Sequence, residues 1–467
     1  MKKITFSNDI DIFVPDSLKM MTTYILIEQL DWFEDEIKFL NKFIYKDNNV
    51  IDIGANYGVY TLTLAKLIGD KGHVFSFEPC SETRKFLKKS IDANNYKNVT
   101  VNKHGLSNKK QVANLSINKD SEINTVTKET SLKGNYEKIS LSNLDSFIES
   151  YGWKDIDFIK IDAEGQESNI IAGGKEFFKI NSPLVQYEVK DKESFNFSLI
   201  KEFESIGYYT YRLVPGLEIL VPWDDIQFDD YILNLFCCKE DKANKLSAKS
   251  LLINKSSLGQ DNSNKFNQIF KELISKKTFY DNINISIPYI NFLMPYWKNS
   301  KEFHNINNEK AIFLYFISQN NEYSIEEKYS AIKFSFLALS EECKINSGNA
   351  RLCSLARISG DLGLRSTQVA ALIQLRDNIY KDKNFELGEI FLLPQKNQEN
   401  DSLKNWGSEI SNWMLSNILT TIEKKEEYSS YYSQNRNLDQ LRQIKALGYD
   451  DEEINRRINL IETKFKN

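Results

Sequence analysis

Cysteine is scarce in this chain. Five residues in 467, two of them adjacent at Cys237 and Cys238, supply neither a framework of bridges nor the spacing of a metal site. A reducing cytosol suits such usage, so a cytoplasmic location is the expectation. Long apolar runs are missing too, and no stretch reads as a membrane span. The first residues, Met1-Lys-Lys-Ile-Thr-Phe-Ser-Asn-Asp9, are basic with no apolar run behind them, so they are not read as a signal peptide. Nor is there an excess of positive charge: a net charge of −5 and a pI near 5.6 give no support to general nucleic-acid binding. The plentiful lysines are interleaved with acids, the pattern of a solvated surface. What is present is material for a core. Hydrophobic residues make up 41% and aromatics 12%, which excludes a disordered chain, and the length allows two domains.

The organising stretch is Asn49-Val-Ile-Asp-Ile-Gly-Ala-Asn-Tyr-Gly-Val-Tyr-Thr61. A short apolar run reaches an acid, turns on glycine and enters the helical pattern Thr61 to Leu67, so it reads as strand, loop and helix of a doubly wound α/β domain. Gly54 and Gly58 allow a tight bend and the close approach of a ligand. The spacing is not the G-x-G-x-x-G that cradles a pyrophosphate, and Asp52 would repel a phosphate but suits a cationic amino-acid ligand. Glu78 closes a second run, His73-Val-Phe-Ser-Phe-Glu78, roughly 20 residues past the glycine loop, where an acid holds a ribose diol. Together these features read as a site for S-adenosylmethionine.

Three blocks, Asp52-Ile-Gly-Ala-Asn-Tyr-Gly58, Phe77-Glu-Pro79 and Lys160-Ile-Asp-Ala-Glu-Gly-Gln-Glu167, resemble the signature blocks of the FkbM family of S-adenosylmethionine-dependent methyltransferases. The similarity runs from about Glu28 to about Cys238, roughly half the chain. It implies an α/β fold with a Rossmann-like seven-stranded sheet, here followed by an all-α C-terminal domain. It also implies a hydroxyl acceptor on a sugar, free or nucleotide-activated, in capsule, O-antigen or other glycan assembly. A polyketide or other secondary metabolite is the alternative acceptor, and a cofactor-binding scaffold for glycan-assembly proteins the alternative class. The cofactor contacts expected are Asp52, Gly54, Ala55, Asn56, Gly58, Thr61, Glu78, Pro79 and Asp162, with Leu106 and Ser107 beside the adenine.

Along the chain, residues 1–45 read as an edge strand and a helix over 22–43. That helix is either a solvated face or a lid presenting Trp32 and some of its acids to the pocket. The cofactor domain is expected over 46–240, with strands ending at Ile53 and Glu78, then Val99–Asn102, Phe158–Ile161, Leu184–Tyr187, Tyr208–Leu213 and Tyr231–Cys237. A helix is expected over 168–178. Residues 108–140 alternate as a β insertion of the kind that shapes a substrate pocket. A Lys/Asn/Ser-rich linker is placed at 241–265 and a helical domain at 266–467. Within it, Leu355–Gly363 and Ser366–Ala371 resemble one helix–turn–helix of the tetratricopeptide kind, with no period to make an array. This half is expected either to pair two subunits in a homodimer or to cover the acceptor site.

A sulfonium is already a strong electrophile, so catalysis is chiefly positioning, whereas a sugar hydroxyl needs a base or a metal to develop its oxyanion. Asp162 and Glu188, at the ends of adjacent central strands, are the expected pair. They act either as ligands of Mg²⁺ or by direct proton acceptance. The plainer reading has Asp162 capping the following helix and Glu188 paired with Lys190 or Lys192. Where FkbM relatives often carry histidine this chain has Gln166, which brings His104 and Lys190 forward as further catalytic candidates. Tyr209, Tyr211, Arg212 and Trp223 are weaker candidates for sugar contact.

Overall fold

The computed structural model describes residues 1–6, 8–117, 124–127, 135–191, 194–223, 229–257, 262–276, 288–299, 305–382, 388–395 and 410–465. The chain divides into two compact units. The first comprises Met1–Leu213, Ile219–Asp225 and Ile232–Asn254, and the second Val214–Glu218, Ile226–Tyr231 and Lys255–Asn467.

The first unit runs β1 (Lys2–Thr5), β2 (Asp11–Val14), α1 (Met21–Gln29), α2 (Glu36–Phe43), β3 (Asn49–Ile53), α3 (Val59–Ile68), β4 (His73–Phe77), α4 (Ser81–Ala93) and β5 (Val99–Asn102). Next come β6 (Gly105–Leu106), β7 (Gln111–Ser116), β8 (Val126–Thr127), β9 (Tyr136–Ser142), α5 (Asp145–Tyr151), β10 (Phe158–Ile161), α6 (Glu167–Ala172) and α7 (Lys175–Asn181). It closes with β11 (Leu184–Glu188), β12 (Lys190–Asp191), β13 (Ser194–Phe195), α8 (Ser198–Ser205), β14 (Tyr209–Val214), β15 (Ile219–Pro222), β16 (Asn234–Cys238) and α9 (Glu240–Ala248).

The main sheet has the order β15-β14-β16-β11-β10-β3-β4-β5. The strands from β5 to β11 are parallel, and β16 inserts antiparallel between β11 and β14. Apolar side chains fill both faces, as a sheet covered by helices requires. Val50, Phe158 and Leu184 serve one core cluster, and Ile51, Ile159 and Val185 the other. The α/β Rossmann-like architecture is as expected, but the sheet has eight strands, not seven. The additional one is β15, a short apolar run that follows β14 after a turn of four residues. One cross-strand row breaks the apolar rule: Asp52 lies beside Lys160, and Lys160 beside Gln186, all three buried.

Other departures are local. The helix expected over 22–43 is two, broken where Leu30 turns left-handed at φ 55°. The helix expected over 168–178 is likewise two, α6 and α7, parted at Gly173 and Gly174; position 173 admits only glycine, since a Cβ there would sit 2.4 Å from the Ser107 carbonyl oxygen. The insertion forms a small sheet of order β6-β9-β7-β8, and its residues 118–123 and 128–134 lie outside the described residues. The stretch expected as a linker is partly regular: α9 occupies 240–248, and Leu251, Leu252 and Ile253 are buried.

The second unit is helical: α10 (Ser263–Ser275), α11 (Pro288–Asn299), α12 (Ile306–Gln319), α13 (Ile325–Ile345), α14 (Asn349–Leu362), α15 (Arg365–Asp382), α16 (Ile410–Lys425), α17 (Ser430–Ser433), α18 (Leu438–Leu447) and α19 (Glu452–Phe465). The expected helix–turn–helix is α14 and α15, turning at Gly363 with φ 84°. Buried charges are paired here, as burial demands: Arg457 Nη1 lies 3.2 Å from Glu423, and Arg351 bridges Glu342 and Glu389. Among the described residues no helix is long and apolar enough to cross a membrane.

Candidate active site

The corner after β3 carries three residues in the left-handed region, Gly54, Asn56 and Gly58, with φ of 81°, 48° and 102°. Asp52 is 1% exposed. Its Oδ2 accepts a hydrogen bond from the Thr61 hydroxyl at 2.6 Å, and that hydroxyl lies 2.7 Å from Ser76 Oγ. Burial pushes the Asp52 carboxyl up, and the nearby Lys160 ammonium opposes the shift. Its Oδ1 is buried and has no partner among the described residues. A lone buried acceptor beside an open cleft is what an amino-acid ammonium would complete.

Glu78 follows β4 directly. Its Oε1 accepts from the Cys80 N–H at 2.8 Å and its Oε2 from the Asn56 N–H at 2.9 Å. Burial pushes this carboxyl up to about 7 against the pull of those two N–H groups and of Arg84. The group holds its proton more tightly folded than unfolded, so its contribution to stability falls as pH rises from the ordinary carboxylate range towards 7. Thermal unfolding should therefore show wild type losing on the order of 2–3 kcal/mol relative to Glu78→Gln between pH 5 and 7.5. A constant difference would put the group's value back in the ordinary range. Glu78→Ala should weaken S-adenosylhomocysteine binding by about 1–3 kcal/mol in calorimetry, the cost of losing a charge-assisted hydrogen bond in a part-buried site.

A cleft of about 1060 Å³, counting its open mouth, lies over this corner. Asp52, Gly54, Ala55, Asn56, Glu78, Pro79, His104, Leu106 and Asp162 all line it, as do Leu115, Asn124 and Val126 of the insertion. Three of the expected contacts are not among the residues lining it. Thr61 holds Asp52 in place and does not line the cleft. Ser107 is buried and donates to Gln166 Oε1 at 3.2 Å. Gly58 lies against Leu87, where a Cβ would come within 2.5 Å of Cδ1. Gly54 does line the cleft, but the space its missing Cβ leaves is filled by the Asp162 carbonyl oxygen, 1.7 Å from that position. Its glycine is required by the neighbouring strand and not by a ligand.

At the β10–β11 edge, ligand oxygens of Asp162, Glu164 and Glu188 all lie within 4.8 Å of one another. Asp162 Oδ2 is 2.5 Å from Lys160 Nζ, which sits 4.6 Å above the centre of the Tyr60 ring. Burial works against the charge of Lys160, but Asp162, Glu34 and Asp52 outweigh it and raise its pKa. Burial, then the charges of Asp162 and Glu164, holds the Glu188 carboxyl well above the usual range. Asp162 does not cap α6: Gln166 stands at that cap, with no side-chain hydrogen bond. Glu167 steadies the loop instead, accepting from the Ala163 N–H at 3.0 Å. Lys190 lies over Phe195, 5.5 Å from its centre, and is not in the cleft lining; Lys192 lies outside the described residues.

His104 lines the cleft but follows β5, three strands from β10, so about 14 Å of sheet separates the two strand ends. Burial, with Lys103 and Lys110 nearby, lowers its pKa. It stands at the β5 end of the cleft and not with the carboxylates. The residues that reading the sequence passed over are Lys160, Tyr60 and Gln186; Glu164 lay in the third block without a role, and Glu34 was one of the acids that the lid reading turned to the pocket. Lys160 and Gln186 had a signal, since each is a polar residue in the middle of an otherwise apolar central strand.

An acid with an open acceptor oxygen, a left-handed glycine corner and a second acid on the next strand define a methyltransferase that draws its methyl group from S-adenosylmethionine. Residues 52–213 match the family model described as the methyltransferase FkbM domain. Among solved structures the chain is similar to a methyltransferase FkbM from Methylobacillus flagellatus KT, at 18% identity over 48% of this chain and 56% of that one, with a TM-score of 0.30. It is also similar to an S-adenosylmethionine-dependent O-methyltransferase from Thermotoga maritima, at 14% identity over 51% and 77%, TM-score 0.27. Aeropyrum pernix fibrillarin, solved with S-adenosylmethionine, matches at 12% identity over 42% and 67%, TM-score 0.24. No curated protein matches the chain.

Proposed function

We propose that this methyltransferase acts on oxygen, methylating a hydroxyl of a sugar, free or nucleotide-activated, during glycan assembly. The observation that carries the reading is the trio Asp162, Glu164 and Glu188 gathered beside the cofactor corner. Bound S-adenosylmethionine supplies an electrophilic methyl group. Asp52 would hold its ammonium through the open Oδ1, and Glu78 its ribose diol. The chain's own task is to activate a weak nucleophile. Asp162, kept beside Lys160, would accept a hydrogen bond from the acceptor hydroxyl and take its proton. Three hard oxygen donors so spaced also suit Mg²⁺, whose charge would stabilise an alkoxide when bound. Glu164 and Glu188 would then share its ligation with Asp162.

The test is formation of S-adenosylhomocysteine with a panel of free sugars and nucleotide sugars, with catechols and hydroxylated polyketides as comparison. Turnover with a sugar hydroxyl supports the reading. Turnover confined to the comparison compounds, or methylation on nitrogen, overturns it.

A further inference from the structure

The loop between α1 and α2 is tied to the sheet at one side chain. Glu34 Oε1 accepts from the Trp32 indole N–H at 2.9 Å. Glu34 Oε2 accepts from the Tyr60 hydroxyl and, at 3.3 Å, from Asn234 Nδ2 on β16. The Tyr60 hydroxyl in turn accepts from Gln186 Nε2 at 2.9 Å. Burial, with Glu34 and Glu36 nearby, raises the Tyr60 pKa, so the phenol stays a donor. Gln186 belongs to the polar row Asp52–Lys160–Gln186, whose burial in central strands is costly unless it orders something. What it orders is Glu34, and through it Trp32. Both line the cleft, and the groups that hold Glu34, Tyr60 with Gln186 of β11 and Asn234 of β16, stand away from β5 in the sheet order.

With its N–H spent on Glu34, the half-buried indole of Trp32 offers a ligand only flat apolar surface. We propose that Trp32 is the acceptor-facing wall of the cleft, selecting acceptors with an apolar ring face such as a pyranose, and that Glu34 is the positioning residue that latches it there. The acceptor class rests on the sugar reading above; the latch does not.

The experiment uses the full chain and the variants Glu34→Ala, Trp32→Phe and Trp32→Ala. The emission owed to Trp32, taken in each background as the protein minus its Trp32→Phe counterpart, should shift to longer wavelength in Glu34→Ala, as a side chain released to water does. S-adenosylhomocysteine affinity should stay within about threefold in all variants. For a pyranose turned over by wild type, acceptor KM should rise about tenfold or more in Trp32→Ala and Glu34→Ala with kcat little changed, and Trp32→Phe should restore most of it. Unchanged Trp32 emission in Glu34→Ala overturns the latch. A tenfold loss of S-adenosylhomocysteine affinity in Trp32→Ala overturns the acceptor side and makes Trp32 a cofactor wall. If no sugar on the panel is turned over, the sugar reading falls while emission and cofactor affinity still decide the latch.

Discussion

Gly54→Ala is expected to leave no stably folded first unit. The residue sits at φ 81°, where an L side chain costs about 1–2 kcal/mol. That term alone would be survivable. The decisive one is steric: the new Cβ would lie 1.7 Å from the Asp162 carbonyl oxygen and 2.9 Å from its carbon. Both belong to backbone, so no side-chain rotation relieves the clash. Nor can the backbone retreat easily, because the Asp162 N–H donates to the Ile53 carbonyl at 3.2 Å and β10 is paired along its length with β3. Separating the two central strands would sacrifice ladder hydrogen bonds and core packing together, a loss of more than about 4 kcal/mol, comparable to the whole stability of many domains. Gly152→Ala is the control. It too has positive φ, at 65°, but nothing lies within 4 Å of its Cβ position, so it should cost only the conformational term. Thermal unfolding and S-adenosylhomocysteine calorimetry decide the matter. A Gly54→Ala protein as stable as Gly152→Ala would mean that the β3–β10 corner is looser than described.

The glycine corner and Glu78 were legible in the sequence because they are written in contiguous blocks. A strand ending in acid, glycine and asparagine can do few other things, and Glu78 ends the next strand. What the blocks could not convey is where the vacant side of each glycine points. Gly54 and Gly58 read as room for a ligand, yet each is filled by protein, which follows from strand pairing and helix packing. The strand ends of β5 and β10 were placed with similar accuracy, but only the sheet order shows that His104 stands three strands from Asp162. The loop at 30–35 was hidden for a different reason. Helical spacing continues through it, and the break at Leu30 depends on a left-handed backbone that no glycine announces. Glu34 owes its position to Tyr60 and Asn234, the latter 200 residues away in sequence, and no local pattern carries that information. The eighth strand escaped because four residues of edge strand look like the far arm of a turn.

Asp162→Asn and Glu188→Gln are each expected to lower turnover by orders of magnitude while S-adenosylhomocysteine affinity changes little. The two carboxylates reach the same edge from adjacent parallel strands, and the register places Ile161 opposite Tyr187 just before both acids. Three carboxylates within 4.8 Å repel one another unless they share a proton or a cation, and this repulsion adds to burial, the larger cause, in holding Glu188 well above the usual range. An acceptor hydroxyl entering this group gains most when its oxygen becomes negative and its proton is taken up, so the interaction is realised mainly in the transition state. Replacing Asp162 also leaves the Lys160 ammonium buried without its 2.5 Å partner. Some loss of stability, about 3–5 kcal/mol, should accompany the loss of rate. Glu188→Gln leaves that ion pair intact, so it reports on chemistry alone, and its unfolding midpoint should stay near or above that of wild type. Metal dependence separates the two ways the cluster can work. If EDTA abolishes turnover and Mg²⁺ restores it, the carboxylates act as ligands. If turnover survives EDTA yet falls in both variants, a carboxylate takes the proton directly. Near-normal turnover in folded Asp162→Asn and Glu188→Gln would remove the cluster from the reaction.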